Sequence, residues 1–398
     1  MRSYATSDEE TLRVRRYLND WAGEGLLSDA RYQAMEQEAE CGLRRTNGFL
    51  RLVLFVFTMI SASAAAWLFF VTFFQGQLAG NSREQGIFLL VIAALVYAGA
   101  EVCVSGARLY RHGIEEALAV LSVLFLCAGL LGVLGRDFTS QGSSASLVPA
   151  AGAIVSFWIY RRFGFLYAFV AAMIFVAFLP QYGTASHTGQ RLILAIIYTA
   201  GLATVALVRT AHRFDYLDEE YSLVEALLWL GLYLTFNLRL SSLSLLADLG
   251  NQPSASTAES AGAFYWTTYA LIWCLPAVLL WRALRMKDRW LLGLGMVIAL
   301  LTLITNKAYL RRPIHPWDPM FLGVLLAGVA IVVRRWLAKV PSGVRGGFTA
   351  RRLSGRDKEW MSNLSSVSSV VSPGPAAGPA EPSFGGGSSG GGGASSNF

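Results

Sequence analysis

Ten apolar runs, each poor in charge and bounded by short polar segments, divide the chain between residues 52 and 337. The first, 52–74, contains no charged residue. A helix rises 1.5 Å per residue, so about 20 apolar residues cross a hydrocarbon layer of roughly 30 Å. The runs predict spanning helices at 52–74, 86–104, 114–135, 145–160, 163–179, 191–208, 222–238, 262–284, 290–306 and 317–337. Ten crossings place both termini on one side. The fourth run is short, holds Pro149 and is separated from the fifth only by Arg161 and Arg162, so the two read either as spans or as a re-entrant pair.

Ahead of the first run the periodicity changes from continuous apolarity to an amphipathic repeat. Ser7 followed by Glu10 has the form of a capping box, and Leu12, Val14, Tyr17, Leu18 and Trp21 recur at helical spacing, predicting a helix that ends near Gly23. Gly25 breaks it, and Ser28 is placed to cap a second helix carrying Tyr32 and Met35 and ending near Cys41. Residues 1–48 therefore read as a small helical hairpin, with an apolar stripe to be covered by its partner helix, a membrane face or another protein. The order Trp21, Gly25, Leu26, Leu27, Ser28 and then a second helix, set before many spans, resembles an uncharacterised family of bacterial multi-spanning membrane proteins. That resemblance implies a domain layout and no activity.

After the bundle, 49–338, a basic segment follows at 339–360, with Arg345, Arg351, Arg352, Arg356 and Lys358 suited to anionic headgroups. The Ser-, Pro- and Gly-rich residues 361–398 carry too little apolar surface to order themselves. Their Gly-rich ending, from Phe384 to Phe398, resembles tails of several bacterial membrane proteins, some of which have a phosphatase-like domain that has no counterpart in this sequence.

Charge sharpens the picture. The net +7 comes from Lys and Arg in loops and ends, a distribution that reports membrane orientation and not a nucleic-acid partner. Of the 33 Lys and Arg, 26 fall in alternate non-spanning segments beginning with the first, and 7 fall in the others. The positive-inside rule then puts both termini in the cytoplasm of a bacterial inner membrane. A charge-balanced first 50 residues predicts no cleaved signal peptide. Cys41, Cys103, Cys127 and Cys274 are too scattered for a disulfide framework or a metal motif.

Candidate chemistry is sparse. No metalloprotease, nucleophile-elbow, phosphate-loop or dinucleotide-binding motif occurs in a usable context, so the sequence predicts no catalytic residues, metal or cofactor. Glu115, Glu116 and Glu225 open spans, where carboxylates complement the helix dipole. Glu101 lies deeper in the second span and reads either as the ion-pair partner of Arg108 or as a proton or cation site. Pro276 interrupts the eighth span and frees the carbonyl of Ile272, as helices at transporter sites do. Glu101 and Pro276 are the candidate intramembrane site. A second candidate is the polar rim after span nine: Lys307, Arg311, Arg312, His315, Trp317 and Asp318, stiffened by prolines and suited to an anionic headgroup or polymer. His212, Asp215, Asp218, Glu219 and Glu220 gather between spans six and seven as a solvated helix extension or a hard-cation site.

The sequence thus describes an all-α polytopic transmembrane bundle of about ten spans. Scarce buried charge favours a non-enzymatic component that interacts with membrane lipids, or with a protein partner through the hairpin or tail. The alternative is a secondary transporter built from inverted five-span repeats. A weaker alternative is an enzyme acting on a lipid-linked substrate at the rim.

Overall fold

The computed structural model describes residues 3–23, 25–39, 42–43, 46–78, 82–134, 146–184, 186–212, 217–241, 263–310, 317–339, 344–345 and 348–349. The secondary structure of the described residues is all-helical apart from one short strand pair. Its helices are α1 (Thr6–Gly23), α2 (Asp29–Glu38), α3 (Gly48–Leu78), α4 (Ser82–Ser105), α5 (Ile114–Leu134), α6 (Leu147–Phe163) and α7 (Leu166–Phe178). They continue with α8 (Pro180–Gly183), α9 (His187–Ala211), α10 (Asp218–Phe236), α11 (Leu238–Ser241), α12 (Ala263–Met286), α13 (Arg289–Tyr309) and α14 (Asp318–Ala338). β1 (Val344–Arg345) and β2 (Phe348–Thr349) pair antiparallel in the basic segment after the bundle, with Val344 opposite Thr349. The Gly-rich tail lies outside the described residues.

Among the described residues, seven helical stretches are long and apolar enough to cross a membrane: Gly48–Thr72, Ser82–Ser105, Ile114–Leu134, Leu166–Gly183, His187–Ala211, Ala263–Met286 and Arg289–Lys307. With every backbone amide bonded inside its own segment, such helices are compatible with lipid. Helices α6, α10 and α14 occupy the three other predicted positions. α6 is only 17 residues long, and α10 opens on Asp218, Glu219 and Glu220.

Two short links decide how the helices stack. Between α6 and α7, Gly164 takes a left-handed conformation at φ 72° and its N–H bonds Tyr160 at 2.8 Å, ending one helix so that the next begins two residues later. The pair folds back on itself, since a Cβ on Gly152 would lie 2.8 Å from the Phe175 ring. α4 and α5 meet more closely. A Cβ on Gly86 would stand 2.5 Å from the Val133 nitrogen, and one on Gly132 2.8 Å from the Gly86 Cα. In the sequence, Gly129, Gly132 and Gly135 in the third span and Gly323 and Gly328 in the tenth predict close helix approach, and α4 and α5 show it. The same expectation fails in the tenth, where nothing approaches Gly323 or Gly328 within 4 Å and α14 is largely exposed.

The interior has two apolar clusters joined by α10. Val224, Leu228 and Leu232 pack into one with Ala119, Ile159, Phe163, Phe169 and Tyr198. Ala226 and Tyr233 pack into the other with Ile272, Leu279, Leu291 and Ile298. α10 is therefore buried on opposite faces, which explains its near-continuous apolar sequence after the first turn.

α1 ends at Gly23, but its start differs from the predicted capping box. It begins at Thr6, so Ser7 lies inside the helix and its carbonyl accepts from the Thr11 hydroxyl at 2.8 Å. The displacement follows from what precedes it. The Ser3 N–H donates to the Arg162 carbonyl at 2.9 Å, and Tyr4 is buried in the first cluster, where its hydroxyl donates to the Leu109 carbonyl at 3.2 Å. Burial pushes that phenol well above the ordinary tyrosine range. α2 meets α1 through the Tyr32 hydroxyl on Asn19 and Arg15 near Glu36, 3.9 Å apart, and buries no residue. Ser28 precedes it with cap backbone geometry but makes no side-chain cap bond.

Candidate functional site

The helices begin and end in a pattern that concentrates charge at one end of the bundle. α5, α7, α10 and α13 all start there, as does α3, while α4, α6, α9 and α12 finish there. Helix starts favour carboxylates and helix ends favour cations. Accordingly Glu115, Glu116 and Asp218 sit in first turns, Asp288 just ahead of one, and Arg162 and Arg209 in last turns; Glu225, expected to open its span, lies instead two turns into α10, and Arg282 lies one turn before the end of α12.

Arg209 is the hub of the larger network. Its side chain is 7% exposed and reaches Asp218 at 3.1 Å, Glu225 at 2.8 Å and Asp288. Arg282 binds the second oxygen of Glu225 at 2.6 Å. Asp288 accepts Arg209 and the Ser222 hydroxyl on one oxygen, and with the other it caps α13 through the N–H groups of Trp290 at 2.9 Å and Leu291 at 3.3 Å. This junction ties α9, α10, α12 and α13 together. A buried cation with this many acceptors satisfies the condition under which desolvated charge is tolerated.

A second network holds the first half. Arg51 grips Glu116 with two nitrogens, Nε at 2.7 Å. Its position depends on Gly113, at φ 102°, because a Cβ there would collide with the Arg51 carbonyl. The neighbouring Glu115 is fully buried and takes the His112 N–H at 2.6 Å, while its other oxygen has no hydrogen-bond partner among the described residues.

Glu101 does form an ion pair, but with Arg162 and not with Arg108. The chain turns after Ser105, and Arg108 takes φ 51°, which carries it to Gly42. The Ser3 hydroxyl also lies 3.4 Å from Glu101.

Between these networks and α1 lies a cleft of about 390 Å³. Its polar walls are Arg13, Arg16, Arg51 and Arg111 with Glu9, Glu116, Glu219 and Glu220, and Tyr110, Phe165, Tyr167 and Trp290 supply aromatic surface. Two of the arginines are engaged: Arg51 holds Glu116, and Arg16 lies 3.3 Å from Glu219. Arg13 and Arg111 have no carboxylate partner among the described residues. They rest instead over the rings of Tyr17 and Tyr110, 5.6 and 5.5 Å from the centroids, and the Arg13 Nε also donates to the Tyr17 hydroxyl at 3.4 Å, leaving its terminal nitrogens for the cleft.

The second half contains a buried polar chain. Asn237 donates to the Tyr233 hydroxyl at 2.9 Å, Tyr233 lies 2.9 Å from the Thr302 hydroxyl, and the single Thr302 proton is shared between the Ile272 carbonyl at 3.0 Å and the Ile298 carbonyl of its own helix at 2.9 Å. Ile272 is the carbonyl that Pro276 deprives of its helical donor. The sequence identified the vacancy, and the structure fills it from α13.

The remaining predicted residues are dispersed. Lys307 pairs with Asp318 and Trp317 is exposed, while Arg311, Arg312 and His315 lie outside the described residues, as does Asp215. His212 stacks on Tyr221 with centroids 5.6 Å apart, and no metal-holding cluster occurs among the described residues. Arg13, Arg111, Arg209 and Asp288 were not singled out by sequence. Each resembles an ordinary helix-end or loop charge until the partners from distant elements are placed.

Fold and site together define a multi-pass helical membrane protein with its buried ion pairs gathered at one end. Comparison of the chain with protein-family models, curated proteins and solved structures returns no match.

Proposed function

We propose that this chain is a non-enzymatic inner-membrane component of ten spans, with both termini cytoplasmic, that binds a lipid or protein partner at its cytoplasmic end. Several features support ten crossings. Helices fill all ten predicted positions, successive ones start and finish at the charged end in alternation, and α6 and α7 fold back as a pair. The 26-to-7 division of Lys and Arg makes the charged end the cytoplasmic one.

The observation that carries the binding role is where arginines without a carboxylate partner among the described residues line a cavity. In the second half the Asn237–Tyr233–Thr302 chain ends on the Ile272 carbonyl, whereas the cleft beneath α1 holds Arg13 and Arg111, which have no carboxylate partner among the described residues. The transporter alternative rests on Glu101 and Pro276, yet Arg162 pairs with Glu101 and Thr302 reaches the acceptor that the proline frees. The lipid-linked enzyme alternative needs a free polar rim, and of that rim's described residues Lys307 and Asp318 neutralise each other.

A thermal-unfolding series on the purified full-length protein, run against ions, metabolites and lipids, tests the reading, because a ligand that prefers the native state raises apparent stability with its concentration. Saturable stabilisation that Arg111→Ala weakens and Tyr233→Phe leaves intact is expected. Saturable stabilisation by a small solute with the opposite dependence would replace this reading with transport.

A further inference from the structure

We infer that the cleft beneath α1 is a phosphoryl-binding site whose two anion-holding groups are the guanidinium ions of Arg13 and Arg111. The inference rests on the binding role proposed above and names the ligand chemistry.

Arg13 and Arg111 come from separate elements, α1 and the turn between α4 and α5, and line one cavity. The cavity, about 390 Å³, has the size of a small-molecule site. Both side chains lack a carboxylate among the described residues, while the other two arginines of the cleft are held by Glu116 and Glu219. Arg111 has a further distinction: its backbone is left-handed, at φ 52°. A non-glycine residue in that region is uncommon and persists where its surroundings impose it. Here the winding of residues 108–113, with positive φ at Arg108, Arg111 and Gly113, presents Arg111 beside Tyr110, whose ring is fixed edge-on against buried Tyr4 at 4.9 Å.

The pair selects a class of anion. A carboxylate shared between two arginines gives each a single oxygen, as Glu225 does for Arg209 and Arg282, so neither fork is fully engaged. A tetrahedral phosphoryl group presents three or four oxygens and can engage two forks from different directions. Tyr167 lines the same wall, and its hydroxyl is buried without a hydrogen-bond partner among the described residues. Glu9 and Glu220 on the same walls disfavour anions in general. The site therefore selects by geometry at the two forks and not by net charge. A phospholipid headgroup and a soluble phosphorylated metabolite share this chemistry.

The test measures binding to the full-length protein in detergent by titration calorimetry, with two probes: dihexanoyl phosphatidylglycerol and inorganic pyrophosphate, at constant ionic strength. Arg13→Ala and Arg111→Ala should each weaken the bound probe at least about tenfold, the loss of one charge-assisted contact of about 1.5 kcal/mol or more. Arg111→Lys should recover part of it, and Arg334→Ala, on exposed α14, should bind as the wild type does. Arg111 is exposed, so its replacement leaves the folded bundle intact. Binding of the lipid alone assigns the site to a headgroup, and binding of pyrophosphate assigns it to a soluble phosphorylated ligand. If neither probe binds, or if Arg334→Ala weakens binding as much as Arg111→Ala, the phosphoryl inference is overturned. A non-phosphorylated ligand whose stabilising effect still depends on Arg111 would leave the broader binding role standing, whereas no stabilising ligand or partner at all would remove both.

Discussion

At the scale of single residues, the account turns on which buried polar atoms are satisfied and by whom. Arg209 serves three carboxylates at once, and replacing it by alanine leaves buried Asp288 without its cation and Glu225 with Arg282 alone. Arg209→Ala should destabilise the protein by about 3–5 kcal/mol, the usual result of breaking a buried pair from one side. It should appear as a large drop in the unfolding midpoint in detergent, and a midpoint within a degree of wild type would refute the hub. Thr302 offers a finer test. Thr302→Val strands the Ile272 carbonyl and should cost about 1–3 kcal/mol. Pro276→Ala returns a backbone N–H to that carbonyl, so the double variant should lose less than the sum of the single ones. Additive losses would show that the hydroxyl and the proline are not coupled.

At the scale of elements, the places where sequence reading succeeded and failed have separate physical origins. The apolar runs were legible because a lipid-spanning helix must be apolar over about 20 residues wherever it packs. The α4–α5 crossing was legible for a similar local reason: Gly129 and Gly132 are small and fall on one helix. Which charges meet was not legible. Glu101 found Arg162, 61 residues away, in place of Arg108, and Arg209 found Asp288 at a separation of 79, because bundle topology and not sequence distance brings helix ends together. The start of α1 shows the same principle, since tertiary contacts of Ser3 and Tyr4 overrode the local capping signal. Those contacts make a prediction for the element as a whole. Tyr4→Ala should loosen α1 from the bundle, and limited proteolysis should then cut within 6–23 well before the spanning helices, whereas wild-type α1 is protected. Equal cleavage rates would mean that Tyr4 does not anchor the helix.

For the whole molecule, orientation and charge form one argument. Helix starts with carboxylates and helix ends with arginines converge at the end covered by α1, and their cross-links hold both apolar clusters in register through α10. An arginine-rich end is also the end that membrane insertion retains in the cytoplasm. The charge that orients the protein is thus, in this account, the charge that closes its bundle and lines its cleft. The measurement that tests this most directly is labelling by a membrane-impermeant maleimide of single cysteines at Asn19, Arg161 and His187, in intact cells and inverted vesicles, with the native cysteines replaced. Ten crossings with a cytoplasmic α1 predict that Asn19→Cys and Arg161→Cys are protected in cells and labelled in inverted vesicles, and that His187→Cys behaves oppositely. Labelling of Arg161→Cys from outside the cell would contradict the account, since α6 and α7 would then fail to cross, and labelling of Asn19→Cys from outside would reverse its orientation.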